Sequence, residues 1–130
     1  MICIDSDCLI DFLRNKPNAV KAVQKYKEEL ITTEINRFQI LFGIYDKKII
    51  NEKELQSAKE FFSSLEVFPF DEDCGEESAK ILVQLRKNGQ EIEESDCFIA
   101  ASMKKQKCNK ILTGNTKHFK RIEEIEVLNY

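Results

Sequence analysis

Ile2-Cys3-Ile4-Asp5-Ser6-Asp7-Cys8-Leu9-Ile10-Asp11-Phe12-Leu13 is the stretch on which the fold turns. A short apolar run with β-branched isoleucine at two positions reads as a buried strand, and it stops at Asp5. Ser6 or Asp7 is placed to cap a helix that continues through Leu9, Ile10, Phe12 and Leu13. The order strand, acid, helix sets a carboxylate at the carboxyl end of a strand. In open α/β sheets ligands sit in the crevice outside those ends. The other segments are therefore weighed by whether they can meet Asp5.

Downstream, Lys16-Pro17-Asn18 is a break, and Ala19 to Leu30 carries Val20, Val23 and Tyr26 at helical spacing. Leu30-Ile31-Thr32-Thr33 reads as a second strand. Glu34 to Tyr45 reads as a helix with an apolar stripe of Ile35, Phe38, Phe42 and Tyr45, and Gln39 falls on that stripe by spacing. A buried amide must find partners or lose about 1–3 kcal/mol, so Gln39 is either a satisfied core amide or a site residue. Asn51 to Leu65 reads as a helix, and Val67-Phe68-Pro69-Phe70 as an edge strand, because proline cannot donate to a ladder. Asp71-Glu72-Asp73 heads a helix over Glu76 to Lys87 with Ala79, Leu82, Val83 and Arg86 as its pattern, ending at Asn88-Gly89.

The second informative stretch is Glu91 to Met103. On a helix starting near Glu94 or Ser95, Asp96 shares a face with Ile99, Ala100 and Met103. A carboxylate driven inward costs several kcal/mol unless it is paired, hydrogen-bonded or bound to a cation. Lys110 to Gly114 is a strand and turn, Asn115 to Phe119 a short element, and Ile125 to Leu128 a last strand. Strands and helices alternate throughout, which implies a single domain over 1–130, an α/β fold built as a three-layer α/β/α sandwich with a mainly parallel sheet of four or five strands. Asp5, Asn115 and the top of the Asp96 helix then converge on one rim.

Composition narrows the classes. The chain has 130 residues, 42% of them hydrophobic, enough for a core without metal or disulfide staples. Its five cysteines are odd in number and lack C-x-x-C spacing, so they read as reduced thiols in a cytosol; with His118 the only histidine, a zinc site is disfavoured. No stretch approaches the roughly 18 apolar residues of a membrane span, and the start lacks the pattern of a signal peptide. A net charge of −3 does not advertise a nucleic-acid binder. Positive charge nevertheless gathers late, at Lys104, Lys105, Lys107, Lys110, Lys117, Lys120 and Arg121, while acids crowd Asp71–Glu77 and Glu91–Asp96. Solvated faces explain such runs, and so does a metal site beside a phosphate track.

Four stretches in order resemble the PIN-domain ribonucleases, specifically the VapC-type toxins of prokaryotic toxin–antitoxin pairs. They are Ile4-Asp5-Ser6-Asp7 with Leu9-Ile10, Ile35 to Gln39 with Gly43, Ser95 to Ala101, and Leu112 to Phe119. The resemblance implies a PIN-like fold and an endoribonuclease that hydrolyses RNA phosphodiester bonds with a water on Mg²⁺ or Mn²⁺. Carried over, the metal-holding positions are Asp5, Gln39, Asp96 and Asn115. Because Gln39 carries no charge, the expectation is a single weakly held ion on Asp5 and Asp96, with Glu94 a further acid and Ser6 an orienting hydroxyl. The resemblance also implies a cognate antitoxin whose tail enters the acidic groove, a homodimer and a cytoplasmic place of action.

Gln39 departs from the family, which has glutamate there. An amide keeps the shape and one acceptor oxygen but gives up the charge that draws a divalent cation. Natural weakening, a substitution made to silence a toxic nuclease, and replacement by Glu34, Glu94 or Asp7 all remain open. Glu34 lies on a different helical face and is a poor substitute. The rival classes are a haloacid-dehalogenase-like phosphatase reading of Asp5-Ser6-Asp7, a response-regulator receiver with Asp71 as acceptor, and a PIN fold kept as a binding module that holds RNA or an antitoxin without cutting. The first two leave Asp96 unexplained or lack their lysine.

Overall fold

The computed structural model describes residues 1–130. Strand β1 (Ile2–Ile4) leads into helix α1 (Ser6–Leu13), and α2 (Pro17–Tyr26) follows with its proline in the first turn. A 3-10 turn at Lys27–Glu29 then delivers β2 (Leu30–Thr33). The helix read as running to Leu30 thus ends at Tyr26, since the chain must tighten to enter the sheet. Next come α3 (Glu34–Tyr45), α4 (Glu52–Ser63) and β3 (Glu66–Phe68). After α5 (Glu72–Lys87) and α6 (Glu94–Lys105), β4 (Lys110–Leu112), α7 (Thr116–Phe119) and β5 (Glu126–Leu128) close the chain.

All five strands are parallel, in the order β3-β2-β1-β4-β5. The expected four or five strands are five. β3 is an edge strand, as expected, but it runs over Glu66–Phe68 instead of Val67–Phe70, so Pro69, which cannot donate to a ladder, lies outside it. β1 lies at the centre with its side chains alternating between two cores. Ile2 and Ile4 pack with Leu9, Val23, Ile40 and Phe62 under α1 to α4. Cys3 packs with Leu85, Ile99, Met103 and Phe119 under α5 to α7. These are the two outer layers of an α/β/α sandwich. All five cysteines are free and buried.

Two helices are rotated by about one residue from their sequence reading. On α3 the inward residues are Asn36, Ile40 and Ile44, whereas Phe38, Phe42 and Tyr45 are 64%, 57% and 49% exposed. On α5 they are Cys74, Ser78 and Leu85, and Val83 points to solvent. Both buried faces include a polar or small residue, which masks them from a search for apolar stripes. The ends of α5 follow the expected chemistry. Asp71 caps its start by accepting from the Cys74 N–H at 3.1 Å, and Gly89 takes a φ of +66° just beyond Asn88.

Candidate active site

Strand register carries Asp5 to its neighbours. Ile4 faces Leu112 across the β1–β4 ladder, so the residues that follow, Asp5 and Thr113, stand side by side. The Thr113 hydroxyl donates to Asp5 Oδ2 at 2.7 Å. On the other flank Cys3 faces Ile31, and two residues further on Asp5 comes level with Thr33. Thr33 caps α3, accepting from the Asn36 N–H at 3.2 Å, while its hydroxyl donates to Asn36 Oδ1 at 2.7 Å. Asn36 Nδ2 then donates to Asp5 Oδ1 and to Ser6 Oγ, each at 3.0 Å. The Ser6 hydroxyl donates in turn to Gln39 Oε1 at 2.5 Å.

Asp5 itself caps α1, accepting from the Ser6 N–H at 2.9 Å. The expected caps, Ser6 and Asp7, are already inside the helix. Asp5 can take that role because the strand ends at Ile4 with no intervening loop. Asp7 instead reaches the turn after β4, where it accepts from the Gly114 N–H at 3.0 Å. A Cβ on Gly114 would lie 3.0 Å from Asp7 Oδ2, so any larger residue in this turn would require the Asp7 carboxylate to give by a few tenths of an ångström.

Asp96 lies in the first turn of α6 and faces inward, as its spacing predicts; it is 6% exposed. Its Oδ2 accepts from His118 Nδ1 at 2.7 Å and from Asn115 Nδ2 at 3.3 Å. An ionised carboxylate only accepts, so His118 Nδ1 carries the hydrogen of this bond.

Burial dominates the electrostatics. Loss of solvent pushes the Asp5 carboxyl up to about 6, and the nearby Asp7 adds to the rise. Hydrogen bonds from Thr113 and the Ser6 N–H oppose it, and Asp96 contributes a smaller push. Asp7 and Asp96 are raised as well, each chiefly by burial. No lysine or arginine pairs with any of the three; the His118 imidazole hydrogen-bonds to Asp96. Buried carboxylates that lack a cation suit a hard divalent ion taking oxygen ligands. No group of three or more acidic, histidine or cysteine side chains is placed to hold an ion. Asp5 and Asp96 are two buried carboxylates, in keeping with the oxygen-donor preference of Mg²⁺, which takes one or two carboxylates and keeps several waters.

The residues singled out in the sequence fall into three groups. Asp5, Ser6 and Gln39 form one hydrogen-bonded network, and Asp96 forms another with Asn115. Glu94 stands exposed at the start of α6 and joins neither. Asn36, Thr113 and His118 sit inside the recognised stretches, yet sequence reading gave them no role in the site. The T-x-x-N spacing from Thr33 to Asn36 is a capping pattern that could have pointed to Asn36. The late basic run also divides. Lys104 pairs with Glu77 at 2.7 Å and Lys105 with Asp73, at the end of α6 roughly 14 Å from Asp96 at 1.5 Å per residue. Lys117 alone of these lysines adjoins a residue of the site, His118.

The sequence profile of the PIN domain matches residues 2–125. The chain belongs to the PIN-domain family. Among solved structures, this PIN domain is similar to VapBC2 from Rickettsia felis bound to a DNA fragment of its promoter, with a TM-score of 0.86, 19% identity and coverage of 100% of this chain and 99% of that one. It is similar to FitAcB from Neisseria gonorrhoeae, with a TM-score of 0.80, 25% identity and coverage of 99% and 97%. It also resembles a toxin–antitoxin complex from Klebsiella pneumoniae, with a TM-score of 0.78, 17% identity and coverage of 97% and 96%. No curated protein matches the sequence. The PIN domain's acids thus gather where the parallel strands end, around the central strand.

Proposed function

We propose that this PIN domain is the toxin of a type II toxin–antitoxin pair and acts as a Mg²⁺- or Mn²⁺-dependent endoribonuclease. The observation that carries the reading is the pair Asp5 and Asp96, each 6% exposed, their carboxyls raised by burial and neither paired with a lysine or arginine. A divalent cation there would supply positive charge against the scissile phosphodiester and make the attacking water more acidic. The protein's own part is to hold the donors. Thr113, Asn36 and the Ser6 N–H fix Asp5, and Asn115 with His118 fixes Asp96. Glu94, two residues before Asp96, is a further acid at the rim.

Likeness to VapBC2, FitAcB and the Klebsiella complex supports a cognate antitoxin as partner. The exposed aromatic row Phe38, Phe42 and Tyr45 supports a protein-contact face, and with it a homodimer. No helix is long and apolar enough to cross a membrane, in keeping with a toxin that meets RNA in the cytoplasm.

A second reading rests on Gln39. Its amide oxygen is taken up by the Ser6 hydroxyl and has no full charge, which favours a PIN-fold binding module that holds RNA or antitoxin without cutting. Incubation of a structured-RNA pool with Mn²⁺ or Mg²⁺, against chelator and against Asp5→Asn and Asp96→Asn, separates the two. The nuclease cleaves with metal and loses cleavage in both variants. RNA retained without cleavage, with and without chelator, selects the binding module.

A further inference from the structure

We infer that Asn36 is a positioning residue that sets the orientation of Asp5 and of Gln39 together. The inference rests on the reading of Asp5 as a carboxylate that holds a cation. Asn36 is fully buried on the inward face of α3, where the next inward residues are Ile40 and Ile44. An amide at such a place must satisfy two donors and an acceptor inside the protein. Its amide bonds Thr33, Asp5 and Ser6, and the buried Cys3 thiol also donates to Oδ1 at 4.0 Å.

Donation runs in one direction. The Thr33 hydroxyl donates to Asn36 Oδ1, which fixes the amide so that Nδ2 faces β1. A flipped amide would set Oδ1 against the Asp5 carboxylate, acceptor against acceptor. Nδ2 places one hydrogen on Asp5 Oδ1 and the other on Ser6 Oγ. Ser6 Oγ accepts from Asn36, and its own hydrogen is sent to Gln39 Oε1. With the Ser6 N–H also on Asp5 Oδ1 and Thr113 on Oδ2, the carboxylate is held from both sides. Asn36 is the one side chain that bonds both Asp5 and the hydroxyl holding Gln39, so it couples the two positions.

The test is Asn36→Leu, which matches the volume and removes every side-chain hydrogen bond of residue 36, beside Thr33→Ser and Thr33→Val. Mn²⁺ binding is read by calorimetry, and the Asp5 side chain by crystal structure of the metal-free Asn36→Leu protein. Asn36→Leu is expected to bind Mn²⁺ about tenfold more weakly, in the range found when groups supporting a ligand are removed, and to show Asp5 turned away from its bond to Thr113. Thr33→Ser keeps the hydroxyl and wild-type affinity, whereas Thr33→Val loses affinity in the same direction. Unchanged affinity in Asn36→Leu, or Asp5 left in place, overturns the inference. Should Asn36→Leu fail to fold, equal affinity in Thr33→Ser and Thr33→Val overturns it instead. Wild-type protein that takes up no Mn²⁺ defeats the metal reading, and the Asp5 orientation then decides the role of Asn36 alone.

Discussion

The Ser6 hydroxyl donates to Gln39 Oε1 across 2.5 Å, joining the first turn of α1 to the second turn of α3. The oxygen nearest in kind to the family's glutamate is thereby engaged by a hydroxyl. A glutamate at this position could accept the same bond through one oxygen and present the other, charged, to a cation. An additional charge about 4 Å from an ion is worth about 4 kcal/mol per unit charge at an effective dielectric of 20. After screening, Gln39→Glu is expected to raise Mn²⁺ affinity at least about tenfold. Calorimetry measures this, and metal-dependent RNA cleavage should rise with it. Equal affinity in the two proteins would remove position 39 from the donor set.

Asp5 makes the metal-free protein sensitive to pH in an unusual direction. Its carboxyl is pushed up to about 6, above the range of an unfolded chain, chiefly by burial. Between pH 4 and 6, roughly, the folded state then holds more protons than the unfolded one, so stability falls as pH rises. The loss amounts to about 3 kcal/mol once pH exceeds 6, from a shift of about two units at 1.36 kcal/mol each. Asp7 and Asp96 are shifted the same way and add to it. In chelator, denaturant melts should show greater stability at pH 5 than at pH 7.5. Asp5→Asn should flatten most of that difference and be the more stable protein at pH 7.5. A melt that strengthens toward neutral pH would contradict the assignment.

Much of this arrangement is legible in the sequence, and the remainder is hidden for physical reasons. β1 and Asp5 are readable because an acid ends an apolar run. Asp96 is readable because it heads an inward stripe with Ile99, Ala100 and Met103. The phases of α3 and α5 are not, since Asn36 and Ser78 take inward positions while Phe38, Phe42 and Val83 are exposed. Apolar periodicity assumes that polar residues face water, and it fails where hydrogen bonds satisfy a polar side chain inside. His118 is hidden for another reason. Its partner Asp96 is 22 residues away in sequence, and only the strand order brings α6 and α7 together.

Gly114→Ala probes the closeness of the β4 turn to α1. The added methyl would meet Asp7 Oδ2 at 3.0 Å with the Tyr130 hydroxyl at 3.5 Å, and the turn carries Asn115 toward Asp96. Gly114 is exposed and its neighbour is a side-chain end, so the cost is expected at or below the lower end of the roughly 1–3 kcal/mol of core crowding. Removing the carboxylate should make room, so Asp7→Ala with Gly114→Ala should cost less than the sum of the single changes. Urea denaturation of the four proteins of the cycle gives the coupling. A strictly additive double variant would mean that the methyl is accommodated elsewhere.

The two faces of α3 should respond in opposite ways to substitution. Ile40 is 2% exposed in the core under α1 to α4, and Ile40→Ala should cost about 2–5 kcal/mol through lost burial and a cavity. Phe42 is 57% exposed and stacks on Phe38 with ring centroids 5.7 Å apart. Phe42→Ser should change the stability of the monomer by no more than about 0.5 kcal/mol, as surface changes do. If the aromatic row is a contact face between copies, the same substitution should shift light-scattering mass from dimer to monomer at equal protein concentration. Urea melts at concentrations where the protein is monomeric keep the effects apart. A loss of 2 kcal/mol or more by Phe42→Ser in the monomer would put the aromatic row back in the core.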